Sequence, residues 1–415
     1  MGIGKSRAKV LPEPAGPFGV GCADIMTDSD PNGLFARIYY PTDKVSLQDK
    51  LDQLPMWIPS QEYVNGFADY TKRNARSTRW MFGWFVGDLR IAALWHQPVA
   101  STQWWQGKFP VILFTHGMAG TRYVYSNYCC NLASYGFVVA AIEHRDGSAS
   151  WTYTLRKSTS YEAAESTYKR VPLPYEHPPL GQKEFKFRNP QLNKRVAECQ
   201  RLFHLLEELN MGHCKAEVEA PKGSKIILGA DFDWTQFKNR LDLGHAAVVG
   251  HSFGGAAAIA TTASCSDFVC AIALDPWLFP IHREQYSKLY TPILCVNSHT
   301  WQWKENLETM KQLRSTEIDR PILTVKDSCH HAVDDFQHAV SGFVGRRLNF
   351  VSDIDPVLAS QINVQLSVAF LKKHFGLVDQ DPMASLYRQY WQWLVSTPGI
   401  AFPLQREPDN IRSNL

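Results

Sequence analysis

Ala246-Ala-Val-Val-Gly-His-Ser-Phe-Gly-Gly-Ala-Ala-Ala-Ile-Ala-Thr-Thr-Ala263 is the stretch on which the reading of this chain turns. Residues 246–249 are apolar and read as a strand. Residues 256–263 are small and read as a closely packed helix. Between them stands Gly250-His251-Ser252-Phe253-Gly254, followed by Gly255. A strand that turns straight into a helix brings backbones too close for Cβ atoms, so glycines flank the turn. This is the Gly-x-Ser-x-Gly arrangement, which holds a serine hydroxyl at the top of a sheet. A free serine is a poor nucleophile, so a base must take its proton.

Outward from this turn, short apolar runs alternate with helical patterns. Residues 109–115, 137–142, 246–249, 268–274, 292–296 and 322–325 form a set of six runs with little polar alternation. Such runs belong to strands covered on both faces, hence to a mostly parallel sheet in the α/β class. Phe35-Ala-Arg-Ile-Tyr-Tyr40 suggests an earlier antiparallel strand. Leu192, Val196, Cys199, Phe203 and Leu206 recur at helical spacing, with Lys194, Arg195, Glu198 and Glu207 as the polar residues between them. Residues 360–374 read as another helix. The tract 145–190 is polar and lacks a period, so it is expected as a loop excursion over the catalytic face.

The partners of Ser252 are sought in the order serine, acid, histidine. Asp275 ends the run 268–274, at the strand edge where ligands gather in open α/β sheets. Asp327, after the last strand, competes with it. Asp267 and Asp319 precede strands and sit at the wrong edge. His330 follows the run 322–325 on the same edge, with His331 as its immediate rival. A histidine there can accept and return one proton near neutral pH. The acid fixes its tautomer and stabilises the imidazolium. A tetrahedral intermediate needs two N–H donors. Phe253 supplies one, and the loop His116-Gly117-Met118-Ala119-Gly120 supplies the other, with Met118 as the candidate.

Composition narrows the class. The chain has 415 residues, with 43 basic against 40 acidic side chains. A formal charge of +3 argues against nucleic-acid binding, which needs a clustered basic field. No apolar run is long enough to span a membrane, and no metal-ligand spacing or cofactor motif appears. Nine cysteines show no regular framework, which fits a reducing compartment. The first thirty residues lack an apolar stretch of signal-peptide length, so a cytoplasmic protein is expected. Met1-Gly2-Ile3-Gly4-Lys5-Ser6 fits the myristoylation pattern at Gly2. Lys5, Arg7 and Lys9 behind it would add weak attraction to an anionic surface. The ending Ser413-Asn414-Leu415 departs from the peroxisomal signal at its middle residue.

These residues together resemble the platelet-activating factor acetylhydrolases of the plasma-type and intracellular type II group. The matching segments are Phe114-Thr-His-Gly-Met118, Gly136-Phe-Val-Val-Ala-Ala-Ile-Glu-His-Arg-Asp-Gly-Ser-Ala-Ser150, Gly250-His-Ser-Phe-Gly-Gly-Ala256, Leu274-Asp-Pro-Trp-Leu-Phe-Pro280 and Ser328-Cys-His-His331. The resemblance spans roughly residues 17–377. It implies an α/β-hydrolase fold with helices on both faces of a mostly parallel sheet. It implies Ser252 as nucleophile, Asp275 as acid and His330, not His331, as base. The implied activity is calcium-independent hydrolysis of the sn-2 acetyl of platelet-activating factor and of short or oxidised sn-2 chains. A general carboxylesterase or polyester-type hydrolase is the alternative on this fold. His116, Trp277, Phe279 and His331 are the expected substrate contacts. Pro276, and His331 in place of a neutral polar residue, depart from the family pattern. The intracellular branch begins with a myristoylated glycine, which strengthens the case for Gly2.

The chain has 13 tryptophans, and five of them (80, 84, 95, 104 and 105) fall between residues 80 and 105. Read as one helix over residues 80–95, Trp80, Trp84, Ile91 and Trp95 share a face, and Phe85 lies on the other. A helix apolar nearly all round is either core or pressed on lipid. The family's interfacial helix favours lipid, so Trp80, Trp84, Phe85, Ile91 and Trp95 are the expected membrane contacts. The expected partner is a phospholipid at an interface, met by a peripheral enzyme without metal. The expected organisation is a flexible segment over residues 1–16, one hydrolase domain over 17–377, and an extension of unknown packing over 378–415.

Overall fold

Six consecutive neighbours in one sheet correspond to the six apolar runs. The computed structural model describes residues 9–396 except 28–32, 102–106, 158–167, 214, 217–224, 341 and 348. Gly2, Lys5, Arg7, Trp104, Trp105 and the terminal tripeptide lie outside the described residues. The strands in chain order are β1 (Gly19–Thr27), β2 (Phe35–Thr42), β3 (Leu94–Trp95), β4 (Phe109–Thr115), β5 (Val138–Ile142), β6 (Trp151–Lys157), β7 (Tyr168–Pro174), β8 (Lys215–Ala216), β9 (Lys225–Leu228), β10 (Leu241–His251), β11 (Cys270–Leu274), β12 (Ile293–Ser298), β13 (Ile322–Val325) and β14 (Leu394–Ser396). The large sheet runs β14-β13-β12-β11-β10-β4-β5-β2-β1-β9-β8, with β3 beside β1. The segment β13-β12-β11-β10-β4-β5 is parallel throughout. β2, β1 and β9 extend it antiparallel on one side, and β14 does so on the other.

Both faces of the parallel segment are dry, which explains the lack of polar alternation. On β4, Ile112 and Phe114 belong to one core with Tyr128, Leu132, Ile362 and Phe370. Val111 and Leu113, pointing the other way, belong to a second core with Leu202, Leu205 and Leu206. The first face is covered by the helices Ser126–Ser134 and Pro356–His374, and the second by Glu184–Met211 and Phe253–Ser264. This is an α/β-hydrolase architecture, with every β-to-α turn of the parallel segment at one edge.

Three expectations about elements are corrected. The run 80–95 is not one helix. A helix spans Ala75–Phe85 and ends there, Gly87 takes a left-handed φ of +56°, and the chain re-enters the core. Ile91 is fully buried and Trp95 lies half-buried on β3 under the Arg37 guanidinium, so neither faces a membrane. The apolar pattern joined two different elements, an exposed helix end and a buried extended segment. The tract 145–190 is not a loop throughout. β6 and β7 pair as a hairpin, and the long helix already begins at Glu184. Its polar look hides Thr152, whose hydroxyl is buried on Glu143 at 2.6 Å. The segment expected to be flexible up to residue 16 is held from Lys9 on. Leu11 N–H donates to Arg90 C=O and Arg90 N–H to Lys9 C=O, both at 2.8 Å. Beyond residue 378, the helix Met383–Gln389 joins the core, and β14 adds an edge to the sheet.

One buried carboxylate ties the helical layer to the site edge. Asp335 accepts from Ser126 N–H (2.7 Å), Asn127 N–H (2.9 Å) and Trp57 Nε1–H (2.9 Å). It therefore caps the free donors at the start of helix Ser126–Ser134. Asp335→Ala strands three buried donors, each worth about 1–3 kcal/mol. The expected loss is about 3–5 kcal/mol of stability, read as the shift in the urea midpoint. A shift equivalent to less than about 1 kcal/mol would contradict this role.

Candidate active site

Ser252 sits between β10 and the helix Phe253–Ser264 with φ 57° and ψ −119°. Non-glycine residues rarely occupy that region, and strain of this kind gathers at functional sites. The turn closes only because its neighbours lack side chains. A Cβ on Gly254 would lie 2.0 Å from the Thr115 carbonyl oxygen, and one on Gly250 would lie 2.1 Å from the Gly254 oxygen. Ser252 N–H donates to Leu274 C=O (2.9 Å), and Trp277 N–H donates to Ser252 C=O (3.0 Å). The serine turn is thus stitched to the end of β11, where Asp275 stands, itself at φ 44°.

Asp275 is fully buried. Its Oδ1 accepts from Ser298 N–H (2.5 Å) and its Oδ2 from Ser298 Oγ–H (2.6 Å). The same Oδ2 faces His330 Nδ1 at 2.9 Å. Trp301 stacks on the His330 ring with centroids 3.6 Å apart and planes 11° from parallel. The imidazole is therefore fixed by a carboxylate at one nitrogen and an indole on one face. Burial pushes Asp275 up to about 8, against the two Ser298 donors, which favour the carboxylate. Burial also pushes His330 well below its ordinary value. Neither alternative forms this pair: Asp327 lies beside His299 Nδ1 (3.5 Å), and His331 Nδ1 bonds Asp334 at 2.6 Å.

The His116–Gly120 loop runs against the serine. A Cβ on Gly117 would lie 3.2 Å from Ser252 Cβ, so Met118 follows a residue pressed on Ser252. Phe253 heads its helix, and its N–H is one of the first-turn donors that have no partner within a helix. Gly117 N–H donates to Tyr125 Oη (3.1 Å), which bonds His251 Nδ1 (2.9 Å). The His251 ring lies 4.3 Å from that of His330.

A buried guanidinium grips both the His116–Gly120 loop and the Phe253 turn. Arg195 Nη1 donates to the His116 carbonyl oxygen, Nε to Asp146 Oδ2 (2.9 Å), and Nη2 to Ser148 Oγ (2.6 Å). Its Cζ sits 4.3 Å over the Phe253 ring. Burial works against charge on Asp146, but Arg195 holds its carboxyl below the usual carboxylate range. Beside it, His144 bonds Glu198 Oε2 (2.5 Å) and Thr115 Oγ1 (2.6 Å). Burial and the nearby Asp146 charge push Glu198 up to about 7. Tyr125, Arg195, Ser298 and Trp301 were missed as site residues. Arg195 and Glu198 carried a misleading signal, because charged residues between apolar helix positions read as a solvated face.

The expected substrate contacts separate. His116 is buried, with Nδ1 on Gly117 O (2.7 Å) and Nε2 accepting from His144 N–H (3.1 Å), so its ring shapes the loop and offers no free nitrogen. Trp277 is buried behind Phe279, with which it stacks at 5.6 Å. Phe279 is 44% exposed and remains open as a wall. His331 is partly exposed. Among the described residues, His251, Asp275 and His330 bring possible metal ligands within 4.8 Å. Their bonds to Tyr125, Ser298 and each other suit proton handling. Trp80 and Trp84 are 67% and 72% exposed, with rings stacked at 5.8 Å. The Phe85 side chain lies outside the described residues.

A family model described as platelet-activating factor acetylhydrolase, isoform II, matches residues 3–388. The chain belongs to this family. A platelet-activating factor acetylhydrolase of dog is 33% identical over 419 residues, covering 100% of this chain and 88% of that protein. The bovine protein of the same name is 34% identical, covering 90% and 79%. A putative phospholipase A2 of Schizosaccharomyces pombe is 26% identical, covering 90% and 94%. Among solved structures, a ferulic acid esterase from Streptomyces cinnamoneus superposes with TM-score 0.57 at 16% identity, covering 94% of this chain and 99% of that one, a likeness of fold. Membership in this family and the esterase fold support an ester hydrolase.

A pH response is expected from the Ser298 grip on Asp275. Ser298→Ala removes the Oγ donor and leaves the N–H. Losing a donor to the charged form raises the Asp275 pKa further. One hydrogen bond to a charged group is worth about 1.5–3 kcal/mol, or roughly one to two pH units. The acidic limb of the kcat/KM profile is expected to move up by about one unit. An unmoved limb would show that the Asp275 charge does not govern activity.

Proposed function

We propose that the protein is a calcium-independent serine phospholipase A2 of the 1-alkyl-2-acetylglycerophosphocholine esterase type. It removes the sn-2 acetyl of platelet-activating factor and short or oxidised sn-2 chains of phospholipids. The observation that carries this reading is the Asp275–His330 bond at 2.9 Å, formed beside a strained Ser252 that is stitched to the same strand end. The substrate class follows the names of the relatives.

In this mechanism Ser252 Oγ attacks the sn-2 carbonyl carbon as His330 Nε2 takes its proton. Asp275 holds the opposite nitrogen and steadies the imidazolium. The oxyanion is met by the Phe253 and Met118 N–H groups, worth about 3–4 kcal/mol apiece at such sites. His330 then gives its proton to the departing glycerol oxygen, and lysophospholipid leaves. Water, deprotonated by His330, attacks the acyl-serine and releases the carboxylate. Proton transfers and N–H donors supply every step, which is why calcium has no part.

Trp80 and Trp84 are proposed as the interfacial contacts. Among the described residues no helix is long and apolar enough to cross a membrane. Two stacked, exposed indoles at the end of a helix suit the polar–apolar boundary. A myristoyl group at Gly2 would be a second signal, since a single chain gives only about 10⁴ M⁻¹. A cytoplasmic, peripherally attached enzyme fits eight unpaired described cysteines, seven of them buried.

Rates on a short-sn-2 phosphatidylcholine and on a simple aryl acetate test the substrate class. The expected kcat/KM is higher for the phospholipid; a strong preference for the aryl ester would favour a general carboxylesterase. A Trp80→Ala, Trp84→Ala double variant is expected to lower vesicle partition by about 10–100-fold, at roughly 0.7–1.4 kcal/mol for each half-inserted indole. Hydrolysis of the soluble ester is expected to stay unchanged. Unaltered partition would sink the docking role.

A further inference from the structure

His330 has a neighbour built in the same way. His331, in the same short turn His330–Ala332, has its Nδ1 2.6 Å from Asp334 Oδ2. Its side chain is 30% exposed, while Asp334 is buried. The two imidazole centroids are 6.0 Å apart. Phe336 and Phe350 flank the His331 ring at 5.9 and 4.6 Å, which fixes its position. A second histidine–carboxylate pair therefore stands beside the first, and the ester mechanism assigns it no step.

Such a pair works either as a base or as an anion receptor. The base role is filled, because His330 is the ring joined to Asp275 next to Ser252. Asp334 occupies Nδ1 of His331 and leaves Nε2 for a ligand. With an anion at Nε2, both ring nitrogens donate, one to Asp334 and one to the ligand. The ring then donates a charge-assisted hydrogen bond with Asp334 behind it. The charged and titratable groups around it permit this. Asp334 is bonded to it through Nδ1. Burial holds both His330 and His251 well below their ordinary range, so neither opposes the added proton with a fixed positive charge.

The proposed substrate brings an anion to this place. Its phosphodiester phosphorus is three bonds from the glycerol carbon that bears the scissile ester. The ring adjacent to His330 lies 6.0 Å from it, centroid to centroid, a separation that a group three bonds from the ester-bearing carbon can span. We propose that His331, backed by Asp334, binds the phosphate of the glycerophospholipid and so selects phospholipid over neutral esters. This rests on the phospholipase reading given above, and it assigns a recognition role to one of the two residues by which this chain departs from the family pattern.

The test uses the full chain and His331→Gln, which keeps a polar side chain of similar reach but cannot become a cation. With short-chain phosphatidylcholine below its micelle concentration, KM is expected to rise about tenfold. The ratio of kcat/KM on that phospholipid to kcat/KM on a neutral aryl acetate is expected to fall about tenfold. Inorganic phosphate is expected to compete with the aryl acetate in the wild type and to lose that competition in the variant. Asp334→Asn should reproduce part of the effect on both readouts. Equal loss on both substrates, no change on either, or phosphate that never competes would overturn the proposal. If the wild type hydrolyses aryl acetate but no phospholipid, the phospholipase reading fails, and phosphate competition still decides whether His331 receives an anion.

Discussion

Arg195 joins four parts of the chain at one buried point. It reaches from the helix Glu184–Met211 to Asp146 and Ser148 after β5, to the His116 carbonyl after β4, and to the face of Phe253 after β10. Taking a guanidinium and a carboxylate out of water costs several kcal/mol for each ion, and their pairing offsets that only when the remaining hydrogen bonds are also made. Here they are made by the His116 carbonyl oxygen and the Ser148 hydroxyl, while the Phe253 ring covers the guanidinium face. The interaction is a weak source of net stability and a strong source of position, because removing one partner leaves a bare charge in the core. The strained serine adds to this demand for fixed geometry. Ser252 keeps its left-handed backbone only while Thr115, Gly254 and Leu274 are packed around it.

The site lies where the sheet makes such convergence possible. β4, β5, β10, β11, β12 and β13 run parallel, so the loops that follow them meet at one edge. Each supplies one element: the Gly117 loop, the Asp146 network, Ser252, Asp275, Ser298 and His330. Ser298 ends β12 and holds the acid of β11, so one strand end positions the charge of the next. The helices below contribute rigidity through dry cores on both faces.

Much of this was legible in the sequence for physical reasons. Doubly buried strands need continuous apolar runs, and the serine turn needs glycines where backbones touch. Acid and base could be ranked because each follows a strand end. The rest was hidden where one pattern serves two structures. Arg195 and Glu198 resemble a solvated helix face, yet both are buried in a polar network. Residues 80–95 keep an apolar pattern across a helix end and a re-entry into the core, so Ile91 was grouped with Trp80 and Trp84. Thr152 and Thr154 make β6 look like loop, yet both are buried, Thr152 with its hydroxyl on the Glu143 carboxylate. His116 sits in a matching segment, and only its two occupied nitrogens show that it shapes the loop from within.

The central claim is that Ser252 carries the acyl group removed from the phospholipid. Rapid mixing with an sn-2 acetyl phospholipid, acid quenching during turnover and peptide mass spectrometry test it directly. The account predicts an acetyl group on the peptide containing Ser252, and its loss when Ser252 is replaced by alanine. Acetylation at another residue, or turnover undiminished in Ser252→Ala, would contradict it.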